Sequence, residues 1–550
     1  MKKLYMLFAI LLVSTLLVVG CGGSSETTTT SQTTTPSQTT TSTQTSASST
    51  TTAPSQTTTT SSTPTSSEPV QTGGILTIIS NQSPTTFGYP MEHLSNASGF
   101  AQVPWVEGFF DSDVYGNLYP QLATSWEVSD DLSNITYHLR EGVKFHDGTP
   151  FNAEAAKFSL DIYLEKGTGS PAAWTSVEVV DEYTVRINLK PDSFTNIQMT
   201  TSYGMISMEA YKEHGREWIE LNPVGTGPFK FKSFVRDTSL EYERFDDYWG
   251  DKARVDGIKY IYIVDPTTAA MAFKAGDGLV WECADPKTSY DLVTNEGFKR
   301  ETRRGPIYHL VPDSVHDDSP LSNVKVRQAI AIAINRQAIV DALGFGVWEA
   351  VDQPALPEQF SHVDEEFFPY DPDKAKALLV EAGYPDGLST TIITATIFPQ
   401  DMFVAIQSDL ARVGITATID VLSPPKWMET GLGGDYFNGF FVVTFAGTDF
   451  NYCAFLDRYF LPYSLFGAPA MSLPEGWVEK LEACLKMADP EDYMPETQEL
   501  VRMFQEHVAA IPLWAADEVY LLNPRVHEMG IGTHGGGFPW DTNKVWIAQD

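Results

Sequence analysis

Positive charge is scarce in this chain. Lys and Arg number 36 against 71 Asp and Glu, a net charge of −35. Such a surface repels phosphate backbones, which argues against nucleic-acid binding. Histidine is also sparse, with ten residues and no cluster, so no metal-ligand spacing arises and no cofactor is expected. Only four cysteines occur. Beyond the N-terminal segment no apolar run is long enough to span a membrane. Catalytic signatures are missing as well: there is no His-Glu-x-x-His, no Gly-x-Ser-x-Gly and no phosphate loop. Gly530-Ile-Gly-Thr-His-Gly535 matches a dinucleotide fingerprint by letters, but no βαβ unit surrounds it. Ser322-Asn-Val-Lys325 matches Ser-x-x-Lys without its companion motifs, and Ser322 reads as a helix cap. A secreted enzyme is therefore disfavoured.

What is present begins with Lys2 and Lys3, an apolar run from Leu4 to Val19, and Val18-Val19-Gly20-Cys21. A basic start, an apolar middle and small residues before a cut site form a secretory signal, here residues 1–20. The run is short for crossing about 30 Å of hydrocarbon. A cysteine just after the cut has the form of a lipoprotein box, so Cys21 is expected to carry lipid and tether the chain to a membrane surface. Residues 21–72 follow as a stalk, almost entirely Ser, Thr, Gln and Pro from 24 onward, with Glu26 and Glu68 the only charges. Such a stretch cannot bury enough apolar surface to order itself. As a coil it would reach about 40 Å. With Cys21 lipidated, Cys283, Cys453 and Cys484 remain. One disulfide is then possible outside the cell, and spacing does not choose the pair.

The body, from about Gly73 to Asp550, is too long for one core. Alternation over 135–140 and 183–190 predicts strands. Asn152 reads as an N-cap for a helix through Leu160, with Glu154 in its first turn. Helices are also expected over 325–343, 372–382 and 495–508. The second opens on Asp371-Pro372 and closes at Gly383. Ile511-Pro-Leu-Trp514 reads as a strand. The class is thus mixed α/β.

Four blocks carry a resemblance. They are Tyr119-Pro-Gln-Leu-Ala-Thr-Ser-Trp126 with Tyr137 through Phe151; Asn222-Pro-Val-Gly-Thr-Gly-Pro-Phe229 with Asp247-Tyr-Trp-Gly250; Val326-Arg-Gln-Ala-Ile-Ala-Ile-Ala-Ile-Asn335; and Tyr370-Asp-Pro-Asp-Lys-Ala-Lys-Ala-Leu-Leu379 with Gly383-Tyr-Pro385. In content and order they resemble the family 5 extracellular solute-binding proteins, the oligopeptide- and dipeptide-binding subunits of ABC importers. The resemblance implies a two-lobed periplasmic-binding-protein-like fold with an accessory domain. One lobe would be 73–111, 223–305 and 511–550, the accessory domain 112–222 and the other lobe 306–510. The chain would cross between lobes near Gly305-Pro306 and Ile511-Pro512. His146-Asp147-Gly148 is then a strand-to-helix turn rather than a catalytic site.

The same resemblance implies a receptor that captures a solute between lobes and delivers it to a permease driven by a cytoplasmic ATPase. Short peptides are the expected ligand and oligosaccharides the alternative. A monomer is expected, held to the membrane through its lipid alone. Family peptide binders resemble Gly-Trp-x-Ala-Asp-Tyr-x-Asp-Pro-x-x-Phe-Leu at the specificity region, where the first Asp pairs with the peptide ammonium. This chain reads Thr444-Phe-Ala-Gly-Thr-Asp-Phe-Asn-Tyr-Cys-Ala-Phe-Leu456. The ammonium position falls on Thr448, with Asp449 one residue along. On a straight strand Asp449 would face the other way, and a one-residue bulge would bring it into place. Phe445 stands where the family has Trp. Trp427 and Trp514 match positions near the family cleft. These five are the expected ligand contacts.

Overall fold

The computed structural model describes residues 69–91, 96–113, 117–166, 173–191, 203–283, 285–434, 436–446, 453, 456, 460, 468–487, 489–534 and 540–549. Cys21, most of the stalk, Thr448 and Asp449 lie outside the described residues. Among those described, no helix is long and apolar enough to cross a membrane.

Three larger sheets organise the body. The first has seven strands, in the order Lys299–Arg303, Glu518–Leu522, Val280–Cys283, Ile75–Ser80, Gly257–Tyr262, Ser239–Arg244 and Phe229–Val235. Ile75–Ser80 lies parallel to both of its neighbours, and the other pairs are antiparallel. The second has six strands, in the order Trp348–Ala350, Ile511–Ala516, Pro306–Pro312, Gly439–Ala446, Leu388–Ala395 and Ile415–Leu422. Here Leu388–Ala395 is parallel to both neighbours. The third is a four-stranded antiparallel sheet, Ala123–Val128, Asn134–Leu139, Thr184–Leu189 and Trp174–Asp181.

Two main apolar cores match this division. One surrounds the six-stranded sheet, with Leu310, Ile330, Ile392, Phe440 and Leu513 fully buried. The other is continuous from the seven-stranded into the four-stranded sheet and includes Leu240, Ile258, Trp105, Tyr137, Leu160 and Ile187. The chain passes from the first large sheet to the second between Arg303 and Pro306. It returns at Asp517, a few residues beyond the expected Ile511-Pro512, because Ile511–Ala516 still pairs with Pro306–Pro312.

Local chemistry explains the helix ends. The expected helix over 325–343 is two, Val324–Ala333 and Arg336–Leu343. Ile334 between them is extended, and the Asn335 side chain accepts the Ala338 N–H, opening a new helix. Asn323, not Ser322, caps the first; Ser322 donates its hydroxyl to the Ser319 carbonyl at 2.8 Å. The helix expected from 495 begins earlier, at Pro490, because Asp489 is the cap and Pro490 the first helical residue. Pro372–Glu381 opens on Asp371, which accepts the Lys374 N–H, and is followed by Gly383 at φ +92°.

The His146 turn is a structural joint. Gly225 donates its N–H to His146 Nδ1 at 3.3 Å, so Nε2 carries the proton and donates to the Gly227 carbonyl at 2.9 Å. Burial pushes this imidazole down to about 4, so it is neutral. Gly225 and Gly227 are required there, since a Cβ would sit 2.2 Å from the Trp105 carbonyl oxygen and 2.7 Å from its carbonyl carbon respectively.

Candidate functional site

The expected aromatic residues divide between the two faces of the six-stranded sheet. Tyr308 is the register partner of both Trp514 and Thr444, which puts these three on one face. Ile307 pairs with Phe445, which puts Phe445 on the other. On the first face Trp514 lies 5.8 Å from Tyr308, Tyr308 lies 5.7 Å from Phe398, and Phe398 lies 5.7 Å from Trp427. Trp427 and Trp514 therefore belong to one aromatic cluster. Phe445 packs instead against His309 at 5.1 Å and Phe460 at 4.9 Å. His309 is fully buried there, and burial pushes its imidazole down to about 3.

All three expected aromatics are buried in this structure. Trp427, on helix Pro424–Gly433, donates its indole N–H to the Val442 carbonyl at 3.0 Å and stacks on Phe441 at 5.2 Å. Trp514 stacks on Trp348, yet its indole N–H has no acceptor. A buried donor without a partner is unusual in a packed core, which distinguishes Trp514 from Trp427.

The cysteines resolve. Cys453, within the specificity region, is disulfide-bonded to Cys484 on helix Trp477–Cys484, with the Cα atoms 6.6 Å apart. The bond ties that region to the core of the six-stranded sheet. Cys283 is a buried free thiol on the seven-stranded sheet, and burial pushes it up to about 12.

The charged cluster at the two crossing segments is the part of the site that sequence reading passed over. A Cβ on Gly305 would lie 1.8 Å from the Ala516 carbonyl oxygen, so the segments run pressed together. Arg304 bridges Glu358 at 2.5 Å, Glu349 at 2.6 Å and Asp517 at 3.4 Å. Arg303 reaches Glu518 at 3.4 Å. Burial opposes the Arg304 charge, but Glu358, Asp517 and Glu349 together hold its guanidinium above its ordinary range. The basic doublet before Gly305 and the acidic doublet after Ala516 were the available signal.

Residues 117–459 match the model of the bacterial extracellular solute-binding proteins, family 5 (Middle). The chain belongs to that family. It is 32% identical over 347 residues to heme-binding protein A of Haemophilus influenzae, covering 54% of this chain and 61% of that one. It is 29% identical over 355 residues to the dipeptide-binding protein of Escherichia coli, covering 58% and 66%. The chain thus spans less than two thirds of the length of these curated relatives. Among solved structures, HbpA2 from Haemophilus parasuis superposes with a TM-score of 0.76 at 24% identity, covering 86% of this chain and all of that one. The periplasmic binding protein DppA from Helicobacter pylori, in complex with the peptide STSA, gives a TM-score of 0.70 at 22% identity, covering 87% and 99%. These likenesses establish the periplasmic-binding-protein fold.

Proposed function

We propose that this protein is the lipid-anchored, extracytoplasmic receptor of an ABC importer, capturing short peptides and delivering them to a permease. Lobe II is 306–510 extended through Ala516. Lobe I is taken as 73–111, 223–305 and 518–550, and the accessory domain as 112–222. The observation that carries the reading is the double crossing at Gly305 and Asp517 between two separate α/β sheets. Two short connections between lobes are the geometry of hinge closure around a ligand, and pockets between domains are where small molecules bind. Membership of the family adds support, as do relatives whose names record dipeptide and glutathione binding.

The specificity region begins where Gly439–Ala446 ends, at the carboxyl end of a strand parallel to its neighbour. Open α/β sheets bind ligands at such ends. Trp427, Trp514, Thr448 and Asp449 are the proposed lobe II contacts, with the unpartnered Trp514 N–H as a donor to a ligand carbonyl. Phe445, on the opposite face of the sheet, is assigned to the core instead. Native mass spectrometry of the freshly purified chain tests the proposal. Co-purifying peptide masses support it, oligosaccharide masses favour the other ligand class, and steady conversion of a bound solute to product contradicts it.

A further inference from the structure

The carboxyl end of the central parallel strand of the seven-stranded sheet carries a polar cluster that the contacts above do not use. Ile75–Ser80 has a parallel neighbour on each side, so the strand order reverses there. Open α/β sheets place ligands at such a reversal. Ser80 ends this strand and donates its hydroxyl to Glu282 Oε2 at 3.0 Å. Glu282 is half-buried, and its register partner across the sheet is Tyr520. Tyr520 is 4% exposed, and its hydroxyl has no hydrogen-bond partner. Tyr520 pairs in turn with Glu301, and Glu518 stands two residues away on the same face.

Charge on this face does not balance. Glu282, Glu301 and Glu518 face Lys299 and Arg303. Arg303 is engaged with Glu518 at 3.4 Å, and Lys299 reaches the Val526 carbonyl at 3.0 Å. Glu301 accepts the Ile531 N–H at 2.9 Å. Glu282 is left with a hydroxyl donor and no salt bridge of its own, and the charge of Arg303, engaged with Glu518, only partly offsets its burial. Burial, with Glu518 adding to it, pushes its carboxyl up to about 7. A half-buried carboxylate without a paired counter-charge is costly, and a cation supplied from outside relieves that cost.

We propose that Glu282, with Ser80 and Tyr520, forms a subsite in the seven-stranded lobe for a cationic nitrogen of the captured solute, a primary ammonium or a guanidinium. This rests on the receptor reading and deepens it. The site takes the role that Thr448, as a neutral residue, cannot take. The Tyr520 hydroxyl is free to accept from that nitrogen or to donate to an adjacent carbonyl.

The test uses the full chain, native mass spectrometry and three peptide pools of two to six residues. One pool is oligoalanine with free N-termini, the second is the same pool N-acetylated, and the third is N-acetylated with one lysine. The wild type is expected to retain a cationic pool at least tenfold over the uncharged one. Whichever cationic pool is preferred tells a terminal ammonium from a side chain. Glu282→Gln keeps the shape and hydrogen-bonding capacity, so it should fold as wild type and lose the preference. Tyr520→Phe should reduce the preference without abolishing it. A preference that survives Glu282→Gln, or equal retention of all pools by the wild type, overturns the subsite while leaving peptide capture in place. Retention of no pool overturns peptide capture and the subsite together.

Discussion

The indole of Trp514 lies face to face with that of Trp348, ring centroids 5.7 Å apart and planes 6° from parallel. The stack joins Ile511–Ala516 to the edge strand Trp348–Ala350, next to the second crossing. A buried aromatic pair contributes about 0.5–1.5 kcal/mol beyond area burial. The Trp514 N–H nonetheless has no acceptor, and leaving a buried donor unmade costs about 1–3 kcal/mol. Trp514→Phe keeps an aromatic ring and removes the donor. Stability by urea unfolding should change by no more than about 1 kcal/mol, since loss of the unpaired group offsets loss of ring area. Peptide affinity by calorimetry should fall about fivefold or more, roughly one neutral hydrogen bond. Unchanged affinity would assign Trp514 to the core alone.

The crossing at Gly305 makes a second expectation. A Cβ there would meet the Ala516 carbonyl oxygen at 1.8 Å. Gly305→Ala must push the two proposed hinge segments apart, weakening the Arg304 bridges to Asp517, Glu349 and Glu358. A loss of about 2–3 kcal/mol in denaturant unfolding is expected, as for other forced overpacking. Gly99, in helix Asn96–Gln102, has open space around its Cβ position. Gly99→Ala should stabilise by up to about 1 kcal/mol and serves as the control.

His534 sets a pH dependence. It lies 2.8 Å from Asp111 and 3.8 Å from Asp541. Burial opposes its charge, but the two carboxylates win and push the imidazole up to about 9 from its ordinary 6.5. A group whose folded pKa is raised stabilises fully below its unfolded pKa and loses that stabilisation as pH rises through the folded value. The contribution is on the order of 3 kcal/mol by linkage. It should be complete below about pH 6.5 and gone above about pH 9. Wild type minus His534→Gln, measured by urea unfolding across that window, should show this fall; a flat difference contradicts the pairing.

Anchoring is tested at Cys21. Cys21→Ser should abolish lipidation and release the chain from the membrane fraction, because the remaining sequence offers no second lipid attachment of this form. Retention of the variant in the same fraction would point to another anchor.

Much of the fold was legible in the sequence because its signals are local. Alternation marked Asn134–Leu139 and Thr184–Leu189, and Asp371-Pro372 with Gly383 marked a helix at both ends. Local reading failed where two signals competed. A continuous apolar stripe hid the break at Ile334-Asn335, and the helix expected over 495–508 missed the start that Asp489 and Pro490 provide. The site was less legible because its parts meet only through sheet pairing. Ser80, Glu282 and Tyr520 are far apart in the chain and adjacent only through the register of three strands. The disulfide is similar: spacing did not choose among the cysteines, and Cys283 is separated from the other two by lying in the other large sheet. Aromatic character alone did not distinguish Trp427, with its N–H satisfied, from Trp514, whose N–H is not.

Ligand-induced closure is the central claim. The direct measurement is small-angle scattering of the chain with and without saturating peptide, paired with unfolding in the same samples and mass analysis of the peptide afterwards. Closure predicts a more compact body and about 2.7 kcal/mol of added stability at a hundred times the dissociation constant, with the peptide recovered intact. No compaction at saturation, or a peptide recovered as product, would contradict the account.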